Sequence, residues 1–529
     1  MRRSYFVLTM HSHLPYVHHP EHDFFLEERW FFEAVLECYI PILLSFEKME
    51  NDGVPFKVTM SLTPPLMEMM RDKDLQTKFA KHTEQLIELA QKEIKRASDV
   101  SERELALFYR NRLQNALSYY ERVGRDLVKA FVHYHKLGNV ELITCNATHA
   151  FLPLLQSFPI GVKAQLKVGV ENFTKHTGFK PKGIWLAECG YYPGLDEYLK
   201  DLNLEFFFAD SHAIWYADER PKYDVYRPVI TPNGVHVFGR DPESSEQIWS
   251  AFSGYPGDPR YREFYRDIGF DRELSYIRPY IDPSGVRVNT GIKYHRITGR
   301  NVPLEKKDIY NRAQALEAVK EHAKDFVAKK MRQVERLLTM MEEAPIIVAP
   351  FDSELFGHWW YEGPDFLEAF FREIANENFI KPVTASEAIA KCDSFQILSP
   401  AASSWGAGGY NDVWINGKND WIYPHTHEIL ERMISLASNF KNESDTLKIR
   451  ALNQMARELL LAQSSDWAFI MTTGTSVEYA VNRINTHVKR FLELERGLLV
   501  DNIDEKYLQA VERADSIFPE IDFRVFSEA

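Results

Sequence analysis

The sequence predicts an α/β fold, a (β/α) barrel with chemistry-bearing residues on one rim, followed by a helical domain. Three observations point there. Short apolar runs recur along the first 400 residues, and each ends in polar side chains. Stretches with apolar residues at helical spacing separate them. From Ser403 the strand-like runs stop and helical patterns take over. Strands buried on both faces belong to parallel sheets covered by helices, and polar residues held back to their C-terminal ends mark the rim where barrel active sites lie.

Taken in order, residues 5–15 read YFVLTMHSHLP, a first strand over about 5–10 that ends at His11 and His13. A helix is expected from Glu27 to about Lys48, and FKVTMSL (56–62) is a second strand closed by Pro64 and Pro65. Residues 66–137 carry apolar residues at helical spacing among many charges, too long for one barrel helix, and read as a helical insertion. VELITCNATH (140–149) ends at Asn146 and His149, GIWLAECG (183–190) at Glu188, and FFFADSH (206–212) at Asp210 and His212. Residues 211–300 are rich in Pro, Gly, Tyr and Arg, with β-like pieces at 235–240 (VHVFGR) and 286–298 (VRVNTGIKYHRIT). A long irregular segment of this kind carries function or covers a site.

An amphipathic helix over 308–341 leads into IIVAPFDSE (346–354), which ends at Asp352 and Glu354; FIKPVTASEAI (379–389) is expected to hold the last strand. The total is about seven strands, short of the usual eight. The Gly- and Trp-rich stretch 403–427 precedes helices at 427–440, 446–463, 476–496 and 503–514, the third opened by a capping box of Thr475 and Glu478. The expected division is a catalytic barrel over 1–404, with the helical insertion at 66–137 and a cleft-covering segment at 211–300, and a helical domain over 405–529 whose Trp-rich start reaches the cleft.

The formal charge of −13 argues against nucleic acid and anionic membrane surfaces as partners. Cys38, Cys145, Cys189 and Cys392 are widely spaced, which fits isolated thiols rather than a zinc or redox motif. The apolar stretch after the N-terminal MRR is too short for a signal peptide, and no apolar run is long enough to span a membrane, so a soluble cytoplasmic protein is expected. Aromatics make up 13% of the chain; beyond filling a core they can stack on sugar rings.

Among the rim residues Glu188 and Asp352 stand out as a carboxylate pair. Asp352 follows VAPF and precedes an aromatic run, surroundings that raise a carboxyl pKa as a general acid needs. Two facing carboxylates can split a glycosidic bond, one attacking the anomeric carbon and one protonating the leaving oxygen. The bland alternative for Glu188 is a cap on the following helix. His11-Ser12-His13 admits a second chemistry, a divalent metal held as in amidohydrolases, with His149, Asp210 and His212 completing the shell. A third reading makes these side chains neutral partners for sugar hydroxyls. Cys189 beside Glu188 reads as a buried thiol rather than a nucleophile.

With these residues in view, the chain resembles glycoside hydrolase family 57, in its group of α-glucan branching enzymes and related amylases. The family's five motif regions match in order HSHLP (11–15), GNVELITCNATHAFLPLL (138–155), GIWLAECGYYPG (183–194), APFDSELFGHWWYEG (349–363) and the Trp-rich stretch 404–425, and segments 239–271 and 464–480 look like the branching-enzyme branch. The resemblance implies an incomplete (β/α)7 barrel, a retaining mechanism on α-glucans, and no metal or other cofactor. Carried over by motif, Glu188 would be the nucleophile and Asp352 the general acid/base. His11, His13, His149 and Asp210 would line the donor site, Arg240, Gly257, Trp405 and Asp466 would contact glucan, and Trp249 and Trp414 would offer stacking platforms. One departure is the short stretch 213–226, where Tyr216 or Tyr223 would stand for a cleft-covering tyrosine. A shorter loop lets water compete with the acceptor sugar.

Overall fold

The computed structural model describes residues 4–250 and 253–527. Its strands are β1 (Ser4–Ser12), β2 (Val58–Leu62), β3 (Val140–Cys145), β4 (Gly183–Trp185), β5 (Phe206–Ala209), β6 (Val229–Ile230), β7 (His236–Gly239), β8 (Ile346–Asp352) and β9 (Ile380–Pro382). Seven of them run parallel in the order β7-β5-β4-β3-β2-β1-β8. Between β7 and β8 no ladder forms among the described residues, and the gap is spanned by the bond from Asp241 N–H to the Val348 carbonyl at 2.8 Å. The barrel is therefore incomplete. β6 adds antiparallel to β7, and β9 lies along the first three residues of β1.

The expected number of barrel strands holds with a changed membership. The run at 235–240, read as a piece of the irregular segment, supplies the barrel strand β7. The run at 379–389 supplies only β9 and the short helix Ala385–Ile389; after Val383 N–H bonds the Phe6 carbonyl at 3.0 Å, Thr384 caps that helix and the pairing ends. The β-like run at 286–298 forms no strand, only bridges between Arg262 and Arg296 and between His295 and Ile309. Its backbone donors are taken by a side chain instead: the N–H groups of Thr290 and Gly291 both bond the Asp267 carboxylate at 2.9 Å.

Side-chain alternation explains core and rim together. Val7, Trp185, Phe206, Phe208, Phe238, Ile346 and Val348 pack into one cluster inside the barrel, while Phe6, Leu8 and Met10 face the helices outside. Burial of each large apolar side chain contributes about 1.5–3 kcal/mol, so these rings make a firm dry floor. Because side chains repeat every two residues along a strand, the inward rows end at His11, Asp210, Arg240 and Asp352. His11 lies level with Ser61 on one neighbour and with Asp352 on the other.

The helix that follows β1 is broken by a π-turn. Glu28–Ala34 and Ile40–Asn51 are α-helical, and Val35–Tyr39 between them is a π-helix. Pro41 has no N–H for the carbonyl four residues earlier, Glu37, and its ring crowds that carbonyl, a sufficient cause for the bulge. Gly357 packs onto the same carbonyl at φ +126°; a Cβ there would lie 1.9 Å from Glu37 O, so glycine is required.

The stretch between β2 and β3 forms four helices, Pro64–Arg71, Lys73–Arg96, Val100–Arg122 and Leu127–Lys136, with Asp72, Asp99 and Asp126 capping the last three. The C-terminal part contains Ile422–Asn439, Thr446–Ala462, Ser465–Thr473, Val477–Leu499 and Glu505–Ala514. The capping box of Thr475 and Glu478 does not form. Gly474 ends one helix in the left-handed region and the reversal drives Ser476, at φ +50°, to the N-cap of the next without a side-chain bond. A capping side chain needs an extended N-cap backbone. No helix among the described residues is long and apolar enough to cross a membrane.

Candidate active site

Glu188 leaves β4 on a tight 3-10 turn, Ala187–Cys189, with φ +61° at Glu188 and +51° at Cys189. Left-handed backbone at non-glycine residues costs on the order of 1–2 kcal/mol each and persists only where the surroundings enforce it. Here the enforcement comes from Trp405, whose N–H bonds the Glu188 carbonyl at 3.0 Å. The Trp405 indole N–H also donates to Glu188 Oε2 at 2.8 Å, and the Ser465 hydroxyl donates to Oε1 at 3.2 Å. Both carboxylate oxygens are thus held by donors. Burial raises the Glu188 pKa, and the Trp405 bond opposes that rise.

Asp352 ends β8 on the other side of the rim. Among the described residues no donor bonds its carboxyl. Burial lifts its pKa well above the ordinary value, and the neighbouring carboxylates of Glu354 and Glu188 lift it further. Glu354 is pushed up to about 7 by burial, with a bond from Tyr39 pulling the other way. The Tyr39 hydroxyl, delivered by the π-turn, donates to Glu354 Oε1, and His13 N–H reaches the same oxygen at 3.2 Å. The pair is therefore asymmetric: one carboxylate braced as an acceptor, the other unbraced and driven toward its protonated form.

The three histidines form a stack beside Glu188. The rings of His13 and His149 lie 3.7 Å apart at 11°, and His11 stacks on the buried Trp185 at 4.8 Å. Every ring nitrogen has a partner. His11 meets Ser61 Oγ at 2.7 Å and His149 Nε2 at 2.9 Å; His149 Nδ1 meets Ser465 Oγ at 2.9 Å. His13 meets Thr63 Oγ1 at 3.0 Å and Asp466 Oδ2 at 2.9 Å. Burial and like-charged neighbouring rings hold His11 and His149 well below the usual pKa, so both are neutral. Burial raises the Asp466 carboxyl, but the charge and hydrogen bond of His13 outweigh it and bring the pKa to about 2. His13, His149 and Asp466 stand close enough to suit a metal ion. The imidazole lone pairs are engaged by protein groups, however, and Asp210 and His212 point to Arg240 and to the Gly409 carbonyl instead of joining the set.

Asp210 accepts from Arg240 Nη1 at 3.0 Å, and the Arg240 guanidinium lies 5.9 Å from the Trp405 ring centroid, so these three line one wall. Trp249, 37% exposed, ends the helix Pro242–Trp249 with its ring centroid 6.5 Å from that of Phe351. Gly257 ends a turn whose Tyr255 bonds Asp325 on the helix Arg312–Met340. Trp414 is no platform. It is 1% exposed, stacked on Phe151 at 4.3 Å and closed over by Gly406, and it props the loop that presents Trp405. Tyr223 is excluded as a cleft cover: Tyr226 N–H bonds its carbonyl and Ile346 N–H bonds that of Tyr226, so it sits at the start of β8, opposite Asp352. Tyr216, 68% exposed, follows the short helix Ser211–Trp215 that leaves the rim at Asp210. Burial pushes the Cys189 thiol far up, which leaves it unreactive.

Sequence reasoning passed over Ser61, Ser465, Tyr39 and Glu354 as site residues. Ser61 and Glu354 carried a signal, since each is a polar residue at the C-terminal end of an apolar run. Ser465 and Tyr39 carried none, because their positions depend on a separate helix and on a π-turn.

Two carboxylates at the rim of an incomplete barrel suit a glycoside hydrolase, and the comparisons give the family. The chain belongs to glycosyl hydrolase family 57, whose model matches residues 7–336; residues 425–526 match the 1,4-alpha-glucan branching enzyme C-terminal model. It is similar to the 1,4-alpha-glucan branching enzyme TK1436 of Thermococcus kodakarensis, 34% identical over 98% of this chain and 77% of the relative. Among solved structures it is similar to the alpha-amylase AmyC from Thermotoga maritima, 55% identical with a TM-score of 0.95 over 100% of this chain and 99% of that one. It is also similar to the GH57-type branching enzyme from Pyrococcus horikoshii, 34% identical with a TM-score of 0.89 over 99% and 97% of the two chains.

Proposed function

We propose that the protein is a retaining enzyme of α-1,4-glucans that transfers the cleaved chain to O6 of an acceptor, a 1,4-α-glucan branching activity, with substantial hydrolysis beside it. The observation that carries this reading is the asymmetry of the rim pair: donors on both oxygens of Glu188, none on Asp352. Glu188 attacks C1 and forms a glycosyl ester while Asp352 gives its proton to the leaving O4. Asp352 then takes a proton from the acceptor, whose oxygen displaces Glu188. A sugar O6 acceptor yields an α-1,6 branch, and water yields hydrolysis. His13, Asp466, Asp210 and Arg240 offer donors and acceptors to sugar hydroxyls, and Trp405 and Trp249 offer ring faces.

Likeness to proteins named branching enzymes along nearly the whole chain supports the transfer reading. A predominantly hydrolytic α-amylase is the second reading. The exposed Tyr216, the turning away of Tyr223 and the likeness to a protein named alpha-amylase favour it. Incubation with amylose, followed by measurement of reducing ends and α-1,6 linkages in one sample, separates the two. The proposal expects new branches together with reducing ends; reducing ends without branches would leave the amylase.

A further inference from the structure

We infer that Ser61, His11, His149 and Ser465 form a one-way hydrogen-bond relay that ends on Glu188 and keeps its Oε1 a permanent acceptor, with Ser465 as the positioning residue. The inference rests on Glu188 being the nucleophile. The contacts are continuous: Ser61 Oγ to His11 Nδ1 at 2.7 Å, His11 Nε2 to His149 Nε2 at 2.9 Å, His149 Nδ1 to Ser465 Oγ at 2.9 Å, and Ser465 Oγ to Glu188 Oε1 at 3.2 Å.

Proton counting fixes the direction. An ionised carboxylate has no hydrogen, so Ser465 donates to it. A hydroxyl has one hydrogen, so Ser465 accepts from His149, whose proton therefore sits on Nδ1. The ring is neutral and its Nε2 is bare, so it accepts from His11 Nε2–H. By the same count His11 Nδ1 is bare and accepts from the Ser61 hydroxyl. Each of the four groups spends its one hydrogen on the next, and the chain closes without an unsatisfied member. Burial and the neighbouring histidine rings, His13 among them, keep His11 and His149 neutral, as such a chain needs.

The consequence is a bias in protonation. A proton on Glu188 Oε1 would occupy the position to which Ser465 donates, so a relay poised to donate there favours the ionised nucleophile against the pull of burial. Of the other groups facing Glu188, Asp466 and Asp352 repel its charge and Cys145 and Cys189 are neutral thiols, while the Trp405 bond and the nearby His13 act with the relay in favour of the ionised form. Among the described residues, Ser465 alone donates to Oε1. The hydroxyl arrives on the first turn of the helix Ser465–Thr473, so the C-terminal helical part completes the barrel's nucleophile.

Two measurements test the relay. In Ser465→Ala the acid limb of kcat/KM moves to higher pH by about one unit, because a hydrogen bond to the charged form is lost; a merely structural role lowers activity equally at every pH. Neutron diffraction of the deuterated wild-type protein reads the direction without any substitution. The relay requires deuterium on His149 Nδ1 and His11 Nε2, with His149 Nε2 and His11 Nδ1 bare. Deuterium on His149 Nε2, or an unmoved acid limb in Ser465→Ala, overturns it. Glu188→Gln separates the two readings: if that variant keeps turnover the nucleophile assignment falls, and if it is dead while the limb of Ser465→Ala stays put, the relay alone falls.

Discussion

The two sides of the cleft treat a carboxylate in opposite ways. On the β4 side, Glu188 sits in a strained left-handed turn, and its two oxygens accept from Trp405 and Ser465. On the β8 side, Asp352 extends from a regular strand with no donor on its carboxyl, beside Glu354 and within the field of Glu188. Burial raises both carboxyls, and they differ in hydrogen bonding and neighbouring charge. The difference teaches where the proposed roles come from. A carboxylate kept ionised is fit to attack, and one kept protonated is fit to give a proton; environment rather than residue type sets the division.

The comparison can be broken most severely at Glu188. Glu188→Gln keeps the acceptor bond to one oxygen and the shape of the turn but removes the nucleophilic charge, and both transfer and hydrolysis are expected to fall by on the order of 10⁴-fold or more. Circular dichroism and thermal unfolding close to wild type would show the fold intact, and near-normal turnover would sink the assignment. A smaller change sharpens the Asp352 side. Glu354→Gln removes a like charge next to Asp352, so the Asp352 pKa falls. A general acid must be protonated to act, so its activity is lost as pH rises through that pKa, and the basic limb of the rate profile moves to lower pH by roughly one unit. Movement of that limb upward would show that Glu354 acts on Asp352 by something other than charge.

The asymmetry was only half legible in the sequence. His11, Asp210 and Asp352 could be read from apolar runs because period-two alternation carries an inward row straight to the rim. Glu188 could be read as a rim residue, yet its left-handed turn could not, since that depends on Trp405 docking from 217 residues away. The rule that found His11 also reaches Ser61, which was passed over because serine at a strand end has many ordinary uses. Ser465 and Tyr39 lay beyond reach. One opens a short helix in the interval between two expected helices, and the other is presented by a π-turn inside an apparently ordinary amphipathic segment. Trp414 misled for a related reason: a tryptophan in a Gly-rich stretch carries no mark of whether its ring faces solvent or, as here, packs on Phe151. The run at 286–298 had the composition of a strand, but alternation becomes a strand only where a neighbour is free to pair, and Asp267 takes its N–H groups first.

The most direct test of the division of roles is covalent trapping. The protein is incubated with a fluorinated α-glucosyl fluoride that forms the glycosyl ester quickly and releases it slowly, and the labelled peptide is sequenced by mass spectrometry. The account predicts one glycosyl group per chain, attached to Glu188. A label on Asp352, or no label together with a product of inverted anomeric configuration, would contradict it.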